Sequence, residues 1–415
     1  MKKTNLLYFI ICSLIILVII YGGFLYNIYI HPTKILSSTG EDKIILFGDF
    51  KYLFKVINCH NLGFNVYSLN DCYKDYYGSY LYGPSILLFP SITKDISEVL
   101  TNFFLAPLLI LTFIYLNIKL IKPNNIFKYI LTTLILFNPT TLFLYEKLNI
   151  DILIYIFLIL LVYHSKHYLL KLTIIFILTI TKFYPAILSI IFLIQKNNKI
   201  KNIVYFFSSL IFISFFIFIF WENLISVLGT LEYVSQSFRY SFSLNSLNKI
   251  FIYVINLDNT NITKLALIII CLLVSYIIYY FLLKSKYFFI EKKLNNDSTM
   301  FILSSSLSVS LYFIFGNNFY REIYLIGIIP FILNNYDIKF FRYILYLYVF
   351  KYLYLLIFFP YYYNADLNVN FTAQIFIGLK TSLDFLFICT IISTLFLFIK
   401  IYLIKYINYF KKNAF

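Results

Sequence analysis

Of 415 residues, 61% are hydrophobic and only 13% charged, against roughly a quarter charged in soluble domains, which excludes a soluble globular chain. That apolar content is enough for about twelve transmembrane helices of roughly 20 residues each, so the composition predicts an all-α, polytopic helical bundle forming one multi-pass domain over residues 1–415. The 34 Lys+Arg against 18 Asp+Glu, net +16, would raise the question of nucleic acid in a soluble chain; here position decides, and no nucleic-acid partner is expected.

Met1-Lys2-Lys3 precedes an apolar run over 6–30. The run is too long for a signal h-region and lacks a small-residue cleavage site, so it is expected to stay as a first spanning helix. A long polar, Tyr-rich segment over 31–99 follows and is expected to be the first outer loop. Cys59 and Cys72 share it and either pair, if it faces an oxidising compartment, or stay free. The five cysteines show no CxxC spacing, and no metal site is expected.

Further apolar runs lie at 100–118, 129–144, 150–163, 172–194, 203–221, 265–283, 299–315, 322–333, 343–359 and 385–404. The run at 172–194 contains Thr181-Lys182-Phe183-Tyr184-Pro185 and is expected to break into a helix pair over 171–195, because proline cannot continue a helix. Counting that pair as two gives about twelve spans and both termini on one side.

Placing the N-terminus inside puts Lys2, Lys3, Lys119, Lys122, Lys128, Lys166, Lys171, Lys196, Lys199, Lys201, Lys284, Lys286, Lys292, Lys293, Lys339, Arg342, Lys400, Lys405, Lys411 and Lys412 on the inner side, with only Glu291, Asp297 and Asp337 as inner acids. This positive-inside asymmetry predicts a multi-pass plasma-membrane protein with both termini cytoplasmic. The long segments 31–99, 221–264 and 360–384 then lie outside, so the work is expected at the outer face. With no Walker or Rossmann glycine pattern, an ATP-driven pump is not expected.

Ionisable residues near or inside apolar segments are costly and are the candidates for function. Asp49, in Gly48-Asp49-Phe50-Lys51-Tyr52, either acts as a general base on an acceptor hydroxyl or holds a metal ion, or else is a solvated carboxylate beside Lys51. Asn149 and Asp151 either accept hydrogen bonds from sugar hydroxyls or position Lys182, or else cap the helix that follows. Lys182, beside Pro185, puts a cation and freed backbone groups where a phosphate can bind, or else snorkels from a helix end. Arg321, in Gly316-Asn317-Asn318-Phe319-Tyr320-Arg321-Glu322, suits bidentate phosphate binding, the alternative being local pairing of Arg321 and Glu322 with neighbouring charges. Tyr73, Tyr76, Tyr77, Tyr80, Tyr82 and Tyr361 to Tyr363 either stack on sugar rings or form an interfacial belt.

In order along the chain, Gly48-Asp49-Phe50-Lys51-Tyr52, Gly63-Phe64-Asn65-Val66-Tyr67, Tyr82-Gly83-Pro84, Asn149-Ile150-Asp151, Lys182-Phe183-Tyr184-Pro185 and Asn245-Ser246-Leu247 resemble the motifs of the GT-C superfamily of polytopic glycosyltransferases. The resemblance is to glycosyltransferase family 87, which uses polyprenyl-phosphate sugars. Gly83 stands where that family commonly has proline, and Asn149 follows Lys147-Leu148 instead of Arg-Gly. The resemblance implies Asp49 as catalytic base and a lipid-linked monosaccharide donor, with mannose the expected sugar. Lys182 and Arg321 would then face the departing phosphate, with Tyr52, Tyr82, Asn149, Asp151 and Tyr184 around the substrate.

The expected function is transfer of one sugar from a polyprenyl-phosphate donor in the membrane lipid to a cell-envelope glycan or glycolipid acceptor, with no cofactor. Direct displacement would invert the anomeric centre, by analogy with inverting glycosidases. The alternatives are a multi-pass transporter or flippase, which internal repeats would favour, and a polysaccharide polymerase, which a large late outer loop rich in arginine would favour.

Overall fold

The computed structural model describes residues 3–30, 46–67, 72, 82–91, 93–163, 167–195, 199–226, 242–248, 260–284, 295–314, 319–364 and 371–413. Among them every regular element is helical and no strand is present. Tyr73, Tyr76, Tyr77 and Tyr80 fall outside the described residues, as does most of the segment from Trp221 to Lys264.

Among the described residues six helices are long and apolar enough to cross a membrane, within Thr4–Gly22, Asp95–Ile121, Lys199–Ile219, Asn261–Leu283, Lys339–Phe358 and Ile375–Tyr409. A seventh span is reached if the bent pair Ile126–Phe137 and Pro139–Lys147 counts as one. Composition alone predicts about twelve. The difference lies in apolar runs that fold as shorter pieces: Asp151–Tyr163, Tyr168–Thr181 and Tyr184–Ile194 are apolar but under 18 residues. The run at 322–333 becomes a 3-10 helix, Phe319–Ile328, followed by one short α-helix, Ile329–Asn334.

By its contacts the chain divides into two compact units. The first comprises Met1–Ile159, Ile180–Phe183 and Phe220–Thr230. Its helix α1 (Lys3–Ile30) is apolar on all sides, the pattern of a helix surrounded by lipid or protein. Helix α2 (Gly48–Asn61) is amphipathic and buries Leu53, Val56, Ile57 and Cys59, so the start of the expected outer loop is folded. Cys59 and Cys72 form a disulfide. Gly63, with φ +89°, turns the chain out of α2 in a conformation that a side chain would strain.

Helix α3 (Lys94–Val99) runs through a π-helical stretch into α4 (Ala106–Ile121). Lys122 then takes a left-handed conformation before Pro123, a common way to stop a helix. Helix α5 (Ile126–Phe137) is capped by Asn125, whose side chain accepts from the Lys128 amide at 2.9 Å. It gives way to α6 (Pro139–Lys147) at a 44° bend. There Asn138 caps the new helix by accepting from the Thr141 amide at 3.0 Å, and Pro139 sits in the first turn, where no amide is needed.

The second unit comprises Leu160–Thr179, Tyr184–Ile219 and Leu231–Phe415. Its centre is the Asn296–Ile314 helix, whose Phe301, Leu303, Ser304, Ser305, Leu307 and Ser308 are all buried. Small serines let neighbours approach closely: a Cβ at Gly327 would overlap the Ser304 hydroxyl. The helices Lys339–Asn364 and Phe371–Asn413 complete the unit.

Candidate active site

The first unit gathers Asp49, Tyr82, Asn149, Asp151 and Lys182 into one hydrogen-bonded cluster, although they span more than a hundred residues of sequence. Its base is the junction after α6. Leu148 adopts a left-handed conformation and donates its amide to the Leu144 carbonyl at 2.8 Å, which ends α6. Asn149 Oδ1 accepts from the Asp151 amide at 3.1 Å, closing the first turn of α7 (Asp151–Tyr163). Asn149 and Asp151 thus both cap α7 and hold Lys182.

Lys182 Nζ donates to Asp151 Oδ1 at 2.8 Å and to Asn149 Oδ1 at 3.0 Å. It stands 4.9 Å from the centre of the Tyr82 ring, within cation–π range. Lys182 is buried and so is Asp151, so each charge is compensated in place and no snorkelling to solvent occurs. The break in the apolar run puts the lysine there: α8 (Tyr168–Thr181) ends one residue before it, and a 3-10 helix (Tyr184–Ile190) begins two residues after it.

Asn149 uses its two ends differently. While Oδ1 faces Lys182, Nδ2 donates to Asp49 Oδ2 at 2.5 Å and to the Tyr82 hydroxyl at 3.3 Å. Asn149 thus relays the position of the Lys182–Asp151 pair to Asp49. Asp49 lies in the first turn of α2, where helix amides favour an anion. The residue before Gly48, Phe47, has φ 59°, rare for a bulky side chain. It is held there by full burial, by a 5.8 Å edge contact with Tyr21, and by donating its amide to the Glu146 carbonyl at 2.8 Å. Strain of this kind persists only where the surroundings over-determine it. Its consequence is to aim Asp49 at Asn149.

Asp49 remains partly open to solvent. Burial pushes its carboxyl above the ordinary value, opposed by the Asn149 hydrogen bond and by the charges of Lys147 and Lys182. Tyr52 stands one turn further along α2, on the same helix face, and is also partly buried.

Tyr82 is set by Gly83. The Gly83 amide donates to the Thr181 carbonyl at 2.7 Å, and a Cβ there would overlap the Ile180 carbonyl oxygen. Ser85 Oγ donates to that same Ile180 oxygen at 2.9 Å. The Tyr67 hydroxyl donates to the Tyr82 carbonyl at 3.3 Å. Glycine at position 83 is therefore matched to a close backbone approach.

The remaining candidates belong to the second unit. Arg321 lies over the Tyr184 ring at 5.8 Å, and the Tyr184 and Tyr324 hydroxyls are 2.7 Å apart. Arg321 and Glu322 turn to different partners, Glu322 bonding to Lys351 at 2.6 Å. Lys351, Lys380 and Asp384 are buried ionisable residues within candidate spans that the motif reading passes over. The signal that finds them is their charge inside an apolar run. Among the described residues no group of three or more His, Cys, Asp or Glu is arranged to hold a metal.

Compared with protein-family models, curated proteins and solved structures, the chain matches none.

Proposed function

We propose that this chain is a GT-C-type glycosyltransferase that moves one sugar from a polyprenyl-phosphate donor to a glycan or glycolipid at the outer membrane face, with Asp49 as catalytic base. The observation that carries this reading is the Asp49–Asn149–Lys182–Asp151 relay. A carboxyl with a raised proton affinity, partly open to solvent and fixed by one amide, is suited to accept a proton. Asp49 takes the proton of the acceptor hydroxyl as that oxygen attacks the anomeric carbon. The carbon–phosphate oxygen bond breaks on the opposite side, and polyprenyl phosphate leaves with the electron pair, inverting the anomeric centre.

Lys182 already compensates Asp151, so its role in this reading is chiefly to orient Asn149 and, through it, Asp49. Arg321, in the second unit, is proposed as a phosphate-binding residue from its own chemistry, since its planar fork matches phosphate oxygens bidentately. The Cys59–Cys72 disulfide supports an oxidising environment for α2, which agrees with the outer face and with cytoplasmic termini. Mannose is the sugar proposed by the motif resemblance.

The test is transfer of radiolabelled sugar from polyprenyl-phosphate-mannose, with polyprenyl-phosphate-glucose in parallel, in membranes holding the wild-type chain or Asp49→Asn. Wild-type transfer that disappears in a correctly inserted Asp49→Asn supports the reading. No wild-type transfer from either donor to any envelope acceptor would sink it and turn attention to uptake and flipping.

A further inference from the structure

Four ionisable side chains meet inside the second unit, none more than 3% exposed. Lys351 Nζ lies 2.6 Å from Glu322 Oε2 and 2.7 Å from Asp384 Oδ1. Lys380 Nζ lies 2.7 Å from Asp384 Oδ2 and 3.4 Å from Glu322 Oε1. Each carboxylate thus spans both ammonium groups and the quartet is neutral. The Phe242, Tyr352 and Phe387 rings lie within 6 Å of Lys351 Nζ, at 4.9, 5.3 and 5.8 Å. Charges so placed are costly, and ionisable residues within membrane spans are candidates for function.

Their partners indicate what that is. Lys351 comes from the Lys339–Asn364 helix, and Lys380 and Asp384 lie one turn apart on the Phe371–Asn413 helix. Glu322 alone comes from the 3-10 helix Phe319–Ile328. In a 3-10 helix residues three apart lie on one face, so Arg321, Tyr324 and Gly327 share a face and Glu322 projects from the next. The shared face is the one in contact with Tyr184, through Arg321 and the Tyr324 hydroxyl, and with Ser304 at Gly327. Turning the segment back by one residue would bring Arg321 against Lys351 and Lys380, a clash of like charges. Turning it forward would leave both lysines facing Ile323.

We propose that the quartet is the positioning device that locks the rotation of the 3-10 segment and so fixes Arg321 and Tyr324 against Tyr184. Glu322, Lys351, Lys380 and Asp384 are positioning residues, and their link to phosphate binding rests on the reading of Arg321 given above.

The experiment has two arms on the full chain in membranes or nanodiscs. In the first, Tyr184→Cys with Tyr324→Cys is cross-linked by a short bis-maleimide, and the linked peptide is quantified by mass spectrometry. The native thiols Cys12, Cys271 and Cys389 are buried. Adding Glu322→Gln together with Lys351→Met keeps the interior neutral and leaves the Lys380–Asp384 pair intact. This addition should slow cross-linking about tenfold while insertion and melting temperature are retained, and Lys351→Arg should keep the parent rate. A folded, charge-balanced variant that cross-links at the parent rate would overturn the proposal.

The second arm measures binding of a polyprenyl monophosphate to chains with native Tyr184 and Tyr324. The quartet variant should bind about tenfold more weakly than wild type. Should wild type bind none, the phosphate role of Arg321 is lost, and the cross-linking arm still decides whether the quartet positions the segment.

Discussion

At Asp49 stability and reactivity pull in opposite directions. Above the ordinary aspartate value of 3.8 the unfolded chain ionises this group freely, while in the folded chain burial holds the proton to higher pH. The folded state therefore binds more protons in that window, and this group's contribution to stability falls as pH rises through it. Asp49→Asn removes the ionisation, so at pH 7 its melting temperature in detergent is expected to equal or exceed wild type. Transfer is expected to fall by roughly 10²- to 10⁴-fold, the usual worth of a positioned base. The wild-type pH–rate profile should lose activity on the acid side at a pH above that of an unperturbed aspartate. A drop of several degrees in Asp49→Asn would instead identify a structural anion. Lys182 behaves oppositely. Lys182→Met leaves Asp151 buried without its cation, a change that costs about 3–5 kcal/mol. Thermal unfolding should show the loss, and adding Asp151→Asn should recover part of it.

At the scale of elements, two short features hold the cluster in place. The first is the contact of Tyr82-Gly83 with the carbonyls of Ile180 and Thr181. Gly83→Ala forces those backbones apart, an overpacking that costs about 1–3 kcal/mol. It should move Tyr82 off Asn149 and Lys182, so the expected result is folded protein with transfer reduced well beyond the loss in melting temperature. Equal losses in both would mean that Gly83 serves packing alone. The second is the disulfide, which closes a 13-residue separation. Closure on that scale is worth about 3 kcal/mol by chain entropy. Replacing Cys59 and Cys72 with serine should speed proteolysis within 59–72 and leave α1 protected. Unchanged cleavage kinetics would show that the α2 packing suffices. These elements also mark how far the sequence was legible. Asn149 and Lys182 stand out because each bounds or breaks an apolar run, and Asp49 as an acid in the polar segment between the first two runs. Their joining through one amide was invisible, because it depends on the left-handed turns at Phe47 and Leu148, and neither residue type signals such a turn. The quartet was passed over for a related reason: Lys351, Lys380 and Asp384 carry no motif, and Glu322 seemed to belong with its neighbour Arg321.

At the scale of the whole molecule, the charge pattern and the span count bear on topology independently. Among the described residues the helices long and apolar enough to span number six or seven, so parity by itself fixes no orientation. Charge is more decisive. Lys2 and Lys3 flank the first apolar run, and Lys405, Lys411 and Lys412 close the last. Cations within about 15–20 residues of a span end favour the inner side, and the proposed topology places both ends of the chain there. The Cys59–Cys72 disulfide fits an oxidising compartment on the other side for the segment that follows α1. The two constraints agree, since one crossing by α1 separates Lys3 from Cys59. A fluorescent protein fused after Phe415 should therefore fold and fluoresce in the cytoplasm. Leu62→Cys, exposed at the end of α2, should react with a membrane-impermeant maleimide added to intact cells. Labelling only after the cells are opened would put Asp49 on the inner side. An outer-face transferase would then be untenable, because the base would face the compartment opposite its acceptor.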